Sequence, residues 1–341
     1  MAQRRGTRLL RSGRTSAIIA GALAVTVLAG GCSLLNGSSP QETAAAGTSV
    51  AVEKPTIRIG ILAAIDFAPV KLAEKLGYFK QEGLNVEVKV FQTGPQALPA
   101  LASGDLDISL ANYVSFYQAE AKKTIDAKVI SDAYQGSPSA FVVLAKPSSG
   151  IKTAKDLVGK KVSVHQKGSI AELLLKATLQ DNGVDPNAVS EVEVHFPDIP
   201  AALASSQIDA GVETEPYITQ AEQQTGAQPA IKVITGSTAD IPLSGYIATS
   251  KFAAANPKTI AAFQRAMIKA QKDAADRNKL AEVLPELTGV DKQSVSLLNL
   301  GVFPTSVDAT RLQRVITLMK TYGGFTAPLE AKDLLVPTPS S

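Results

Sequence analysis

Ile57-Arg-Ile-Gly-Ile-Leu62 and Leu84-Asn-Val-Glu-Val-Lys-Val-Phe91 decide the architecture of this 341-residue chain. Ile57/Ile59/Ile61 and Leu84/Val86/Val88/Val90 alternate with period two, the pattern of strands with one buried face. Between them, Leu72, Leu76 and Phe79 repeat at i, i+4 and i+7, which predicts a helix over residues 69–79. A second helix over 95–103 and a third strand over 106–110 follow. Strands alternating with helices of this length imply right-handed βαβ units and a parallel sheet, the α/β class. Ligands of such sheets bind beyond the carboxyl ends of the strands. The turns at 63–68, 92–94 and 111–113 are therefore expected to face a crevice.

Each turn offers candidates. Asp66 is either the cap of a helix that opens at Pro69 or a carboxylate at the crevice. Phe67 is a hydrophobic staple or a stacking surface. Thr93 and Gly94 precede Pro95 at a helix start whose backbone N–H groups form an anion site, with Gly94 leaving the approach open. Asn112 is placed to cap the helix that carries Phe116 and Tyr117, and Tyr113 follows it.

The chain also repeats itself. Ala100-Leu-Ala-Ser-Gly-Asp-Leu-Asp-Ile-Ser109 aligns without a gap on Ala202-Leu-Ala-Ser-Ser-Gln-Ile-Asp-Ala-Gly211. The same register sets Glu213, Thr214 and Glu215 opposite Ala111, Asn112 and Tyr113. Two copies of one supersecondary unit imply two similar lobes around a shared crevice, and not a solenoid. Asp107 and Asp209 fall at equivalent positions and are expected to satisfy nearby backbone groups. In the second copy Lys161-Val-Ser-Val164 is the entering strand and His165-Gln-Lys-Gly168 the turn. Gly168-Ser169 opens a helix with Lys167 beside it, another anion-capable terminus. Tyr217 starts a helix after Glu215-Pro216. Residues 141–147 are expected to leave the first lobe and 242–249, with Tyr246, to return to it. Ser137-Pro138 and Ser244-Gly245 are the candidate hinge points.

The N-terminal end carries an address. Arg4, Arg5, Arg8, Arg11 and Arg14 precede the apolar run 17–29, which is short for a bilayer span and has the form of an export signal. Without residues 1–31 the formal charge of +3 becomes −2, so no basic face for nucleic acid is expected. Leu28-Ala-Gly-Gly-Cys32 resembles the lipobox of bacterial lipoproteins, with Ala29 where a larger aliphatic residue is usual. Cys32 is the only cysteine and has no internal partner for a disulfide. Residues 33–54, rich in Ser, Gly, Ala and Thr, form a tether reaching about 25 Å. No G-x-x-x-x-G-K-[ST] loop, G-x-S-x-G elbow or paired His spacing is present, so neither enzyme activity nor a metal or cofactor is expected.

Phe67-Ala-Pro-Val-Lys-Leu-Ala-Glu-Lys-Leu-Gly-Tyr-Phe-Lys-Gln-Glu-Gly-Leu84, Ala100–Asp107, Lys167-Gly-Ser169 and Glu215-Pro-Tyr217 together resemble the sulfonate/nitrate/taurine-type substrate-binding proteins of ABC importers, a family that includes binders of thiamine-type pyrimidines. The resemblance covers roughly residues 55–270. It implies a type II periplasmic-binding-protein fold of two lobes joined by two crossovers, here 55–143 with 245–341 and 144–244. It further implies a monomer at the outer face of the bacterial cytoplasmic membrane, handing a small ligand to an ABC permease and its ATPase by hinge closure. A small sulfonate or amino-sulfonate is the expected ligand. A thiamine-type pyrimidine, or a solute sensor with a signalling partner, is the alternative. The ligand-binding set is Asp66, Phe67, Thr93, Gly94, Asn112, Tyr113, His165, Lys167, Gly168, Ser169, Glu213, Thr214, Tyr217 and Tyr246. A yeast enzyme of the family uses a cysteine-rich iron site, which one Cys and two His cannot assemble. The chain has no tryptophan, which excludes a Trp-built cage for a quaternary ammonium.

Acylation of Cys32 is tested by fractionation. Cys32→Ala is expected to release the protein into the medium, and retention on membranes refutes the anchor.

Overall fold

The computed structural model describes residues 51–92 and 94–339; Thr93 and Cys32 lie outside these. Two mixed five-stranded sheets form the frame. Strands β1 (Thr56–Leu62), β2 (Asn85–Phe91), β3 (Ile108–Asn112) and β4 (Ala127–Gln135) belong to the first sheet. The second contains β5 (Phe141–Ala145), β6 (Lys161–Val164), β7 (Ser190–Glu193), β8 (Ala210–Thr214) and β9 (Gln228–Lys232). Strand β10 (Pro242–Thr249) returns to the first. The orders, β2-β1-β3-β10-β4 and β7-β6-β8-β5-β9, are the same topology used twice.

The repeat seen in the sequence is therefore structural. Ile59 pairs in parallel with Ile108, and Val162 with Ala210. Asp107 Oδ2 accepts from Arg58 N at 2.9 Å, and Asp209 Oδ2 from Lys161 N at 2.8 Å. Each aspartate thus satisfies a backbone donor of the neighbouring first strand in its lobe.

Two expectations are corrected. Residues 141–147 and 242–249 are not inter-lobe connections. Strands β5 and β10 are paired on both sides within a sheet, and burial of nearly every residue in both reflects that position. The expected boundaries at 143/144 and 244/245 cut through these strands. The connections are 136–140 and 233–241, so Ser137-Pro138 lies in a crossover but Ser244-Gly245 lies inside β10. The helix predicted over 69–79 is also two helices, Ala68–Lys75 and Tyr78–Gln81, separated at Gly77, whose φ of +72° breaks the right-handed run.

The crossovers touch each other: Gly136 N donates to Ile241 O at 2.9 Å. A C-terminal segment is strapped over them. Gln135 and Val302 exchange two backbone hydrogen bonds of 2.9 Å, and Ser137 Oγ donates to Leu300 O at 3.0 Å. Gly301 is required there because a β-carbon would overlap the Gln135 carbonyl oxygen and the Tyr134 ring. Gly301→Ala is expected to lower stability by about 1–3 kcal/mol, read as an earlier urea midpoint. An unchanged midpoint would show that the strap yields freely.

Candidate functional site

The duplicated topology brings equivalent positions to one cavity of about 50 Å³. Three residues beyond the paired Ile59 and Val162 stand Leu62 and His165, and both line it. Asn112 and Thr214 end β3 and β8 and line it too. Their antiparallel partners, Ser244 opposite Asn112 and Phe141 opposite Thr214, complete the third equivalent pair. Asp66, Ile65 and Tyr134 come from the first lobe, Ile170 and Phe196 from the second. The lobes contribute differently: the first supplies Asp66, Asn112 and Ser244, the second mainly rings and aliphatic groups.

Three buried polar atoms of this wall have no hydrogen-bond partner: Asp66 Oδ1, Ser244 Oγ and His165 Nδ1. Leaving such atoms unsatisfied costs about 1–3 kcal/mol each, so they mark a place where stability has been yielded. Burial pushes the Asp66 carboxyl up to about 6, opposed by the Ser244 hydroxyl, which stands near it without reaching hydrogen-bond geometry. Burial, reinforced by His195, takes His165 down to about 3, so its ring is neutral. That ring stacks on Phe196 at 4.2 Å, and Phe196 meets Phe141 edge-on at 6.0 Å. No Lys or Arg is among the lining residues.

Two helix N-termini reach the same cavity. Asn112 Oδ1 caps the helix Tyr113–Ala121 by accepting from Ser115 N at 2.9 Å, as its position in the sequence predicts. Ile170 is the first residue of the helix Ile170–Asp181. Both ends carry partial positive charge. Asp66 caps neither of these nor the helix after it, whose N-cap is Phe67 without a side-chain bond.

Of the fourteen residues expected at the ligand, the structure brings Asp66, Asn112, His165 and Thr214 to the cavity wall. Phe67 is fully buried in the core. The Tyr113 hydroxyl donates to Asp132 at 2.8 Å, and Tyr246 packs edge-on against Phe263 with its hydroxyl directed to Asp66 O at 3.3 Å. Lys167 and Gly168 border a separate groove with Gln118 and Lys122. Ser169 spends its hydroxyl on Gln166 O at 2.7 Å. Glu213 is buried off the wall with Oε1 accepting from Thr214 N, and burial beside Glu215 holds it well above the usual carboxylate range. Gly94 opens the helix Gly94–Ser103, away from the cavity lining. Phe141, Phe196 and Ser244 line the cavity without having been assigned to it from sequence, and Tyr134, one of the rings open to stacking on a flat ligand, lines it too.

The lobes are closed on each other. Tyr217 Oη donates to Ala63 O at 2.7 Å, Ile65 N to Glu215 O at 3.3 Å and Ser115 Oγ to Gly168 O at 3.0 Å.

Two repeated α/β lobes, two crossovers and a cavity between the lobes define the periplasmic-binding-protein fold. The family model described as NMT1/THI5 like matches residues 64–281, and the chain belongs to that family. It is 28% identical over 247 residues to a Bacillus subtilis (strain 168) protein provisionally named an aliphatic sulfonates-binding protein, covering 70% of this chain and 71% of that one. It is 26% identical to the taurine-binding periplasmic protein of Escherichia coli (strain K12) over 69% of this chain and 72% of the relative. The structure of the alkanesulfonate-binding protein SsuA from Xanthomonas axonopodis pv. citri, bound to MOPS, superposes with a TM-score of 0.70 at 19% identity, covering 84% of this chain and 99% of that one.

The raised Asp66 carboxyl has a stability consequence. An acid whose folded value lies above its ordinary 3.8 costs nothing below that pH and its full penalty above about 6. Asp66→Asn is therefore expected to raise the ligand-free melting temperature at pH 7.5, by a gain on the order of 1–3 kcal/mol. The gain should shrink as pH falls from 6 to 4. A gain independent of pH would mean that Asp66 is not the titrating group.

Proposed function

We propose that this protein is the solute-binding component of an ABC importer, exported, tethered to the outer face of the cytoplasmic membrane through Cys32, and closing on a small amino-sulfonate. The carrying observation is the cavity, in which the unpartnered Asp66 Oδ1 and Ser244 Oγ share one enclosed space with two helix N-termini. An ammonium group supplies donors to Asp66 and Ser244 and neutralises the buried carboxylate. Sulfonate oxygens accept from the backbone N–H groups of the helix starts, which need no Lys or Arg to hold an anion. The apolar wall from the second lobe covers the short carbon chain. The names of the Bacillus subtilis and Escherichia coli relatives support the same ligand class. The role is binding and delivery, with no reaction on the ligand; hydrolysis of ATP belongs to the partner ATPase.

A second reading, a thiamine-type pyrimidine, draws on the rings of Tyr134, Phe141, His165 and Phe196 around the cavity. A flat heterocycle would stack there and give its amino donors to Asp66.

Titration calorimetry with taurine, ethanesulfonate and a 4-aminopyrimidine separates these. Taurine is expected to bind at least about tenfold more tightly than ethanesulfonate, because a site built to pair a donor rejects the analogue that lacks it. That margin should vanish in Asp66→Ala. Heat from the aminopyrimidine alone selects the second reading, and heat from none of the three overturns both.

A further inference from the structure

One contact between the lobes is built unlike the others. Glu215 is fully buried at the start of the segment leading into the helix Tyr217–Thr225. Its Oε2 accepts from Thr219 N at 3.1 Å and its Oε1 from Thr219 Oγ1 at 3.1 Å, both within its own lobe. The same Oε1 also accepts from Asn299 N at 2.8 Å and Asn299 Nδ2 at 3.1 Å. Asn299 belongs to the segment strapped to the first lobe. Leu298 is buried there, and Arg277 Nη1 holds the carbonyls of Leu298 at 2.7 Å and Val295 at 3.2 Å. One carboxyl group therefore closes its own helix turn and receives two donors from a single residue of the segment strapped to the first lobe.

Both partners of this contact lead directly to the cavity. The Glu215 carbonyl accepts from the backbone of Ile65, a lining residue. Two residues beyond Asn299, Gly301 N donates to the Tyr134 hydroxyl at 2.5 Å, and Tyr134 lines the cavity as well. Asn299 lies outside residues 64–281, the span the family model matches.

We propose that Asn299 is a positioning residue for closure, forming with Glu215 a latch that sets the ratio of closed to open protein before any ligand binds. The proposal rests on the two-lobed fold and not on the identity of the ligand. Removing Nδ2 takes one donor from the buried Glu215 carboxyl and leaves the backbone donor in place. Asn299→Ala weakens the latch, and Asn299→Asp sets a second carboxylate against Glu215.

The test is the lobe-to-lobe distance in the full chain without added ligand. Spin labels at Glu87→Cys on β2 and Ser190→Cys on β7, in a Cys32→Ser background, are read by pulsed electron spin resonance. Asn299→Ala is expected to lower the closed-to-open ratio about tenfold, and Asn299→Asp further, with the urea midpoint kept as the check on folding. A purely structural role for Asn299 would move the midpoint and leave the distances. Identical distance distributions in all three proteins, or a parent protein found only in the open separation, overturn the latch. Taurine is then added to each. If taurine changes no distance while the variants differ, the ligand reading fails and the latch stands.

Discussion

Strands β5 and β10 run against the parallel strands beside them, and the cavity depends on that reversal. The parallel strands β1, β3, β6 and β8 deliver their carboxyl ends to the cleft. An antiparallel strand must deliver its amino end there, which is why Phe141 and Ser244 stand opposite Thr214 and Asn112. Each lobe thereby sends the close of two strands and the opening of a third to the same place. The resulting wall has six equivalent positions from one topology used twice. The two copies have diverged at those positions.

That divergence sets the electrostatics. The first lobe presents a carboxyl and a hydroxyl without partners, and the second presents a neutral imidazole stacked on phenylalanine. A carboxyl held near 6 by burial gains most from a cationic donor, because such a partner removes the penalty and supplies the missing bond together. Charged groups at the surface find partners more cheaply. Lys75, Lys292 and Glu282, for example, form a surface cluster that is worth little individually. Buried Asp107 and Glu215 are partnered as well, whereas Asp66 Oδ1 in the cleft is not.

The frame was legible in the sequence where a local pattern coincides with a tertiary consequence. Period-two alternation marked β1 and β2, and the Ala100/Ala202 repeat gave the equivalence of Asn112 and Thr214 that the cavity wall displays. Asp66 and His165 were legible because they sit in turns at strand ends. The rest depended on neighbours that no local window contains. Phe141-Val-Val-Leu-Ala145 is continuously apolar, a pattern shared by a buried central strand and a sequestered connection, so its place in the sheet was invisible. Ser244 inherits its position from that same ambiguity in β10. Phe67, Tyr113 and Tyr246 were drawn into the core because large rings gain more from full burial than from lining a small cleft. Lys167 turned outward, exposed beside Gly168, whose φ of +68° redirects the chain before the helix.

The strand order also dictates when each half of the molecule can be finished. All five strands of the second sheet lie in one continuous stretch, residues 141–232, so that sheet has every member as soon as the stretch exists. In the first sheet β10 lies between β3 and β4, although β4 precedes it by more than a hundred residues. A chain emerging amino end first must therefore carry β4, with Val129 and Ile130 destined for full burial, beside an open slot until residue 249 arrives. An unpaired apolar edge of that kind invites pairing with other chains. The earlier-made lobe is thus the later to be completed, and the interval between the two is the stage at which a nascent molecule most needs shielding.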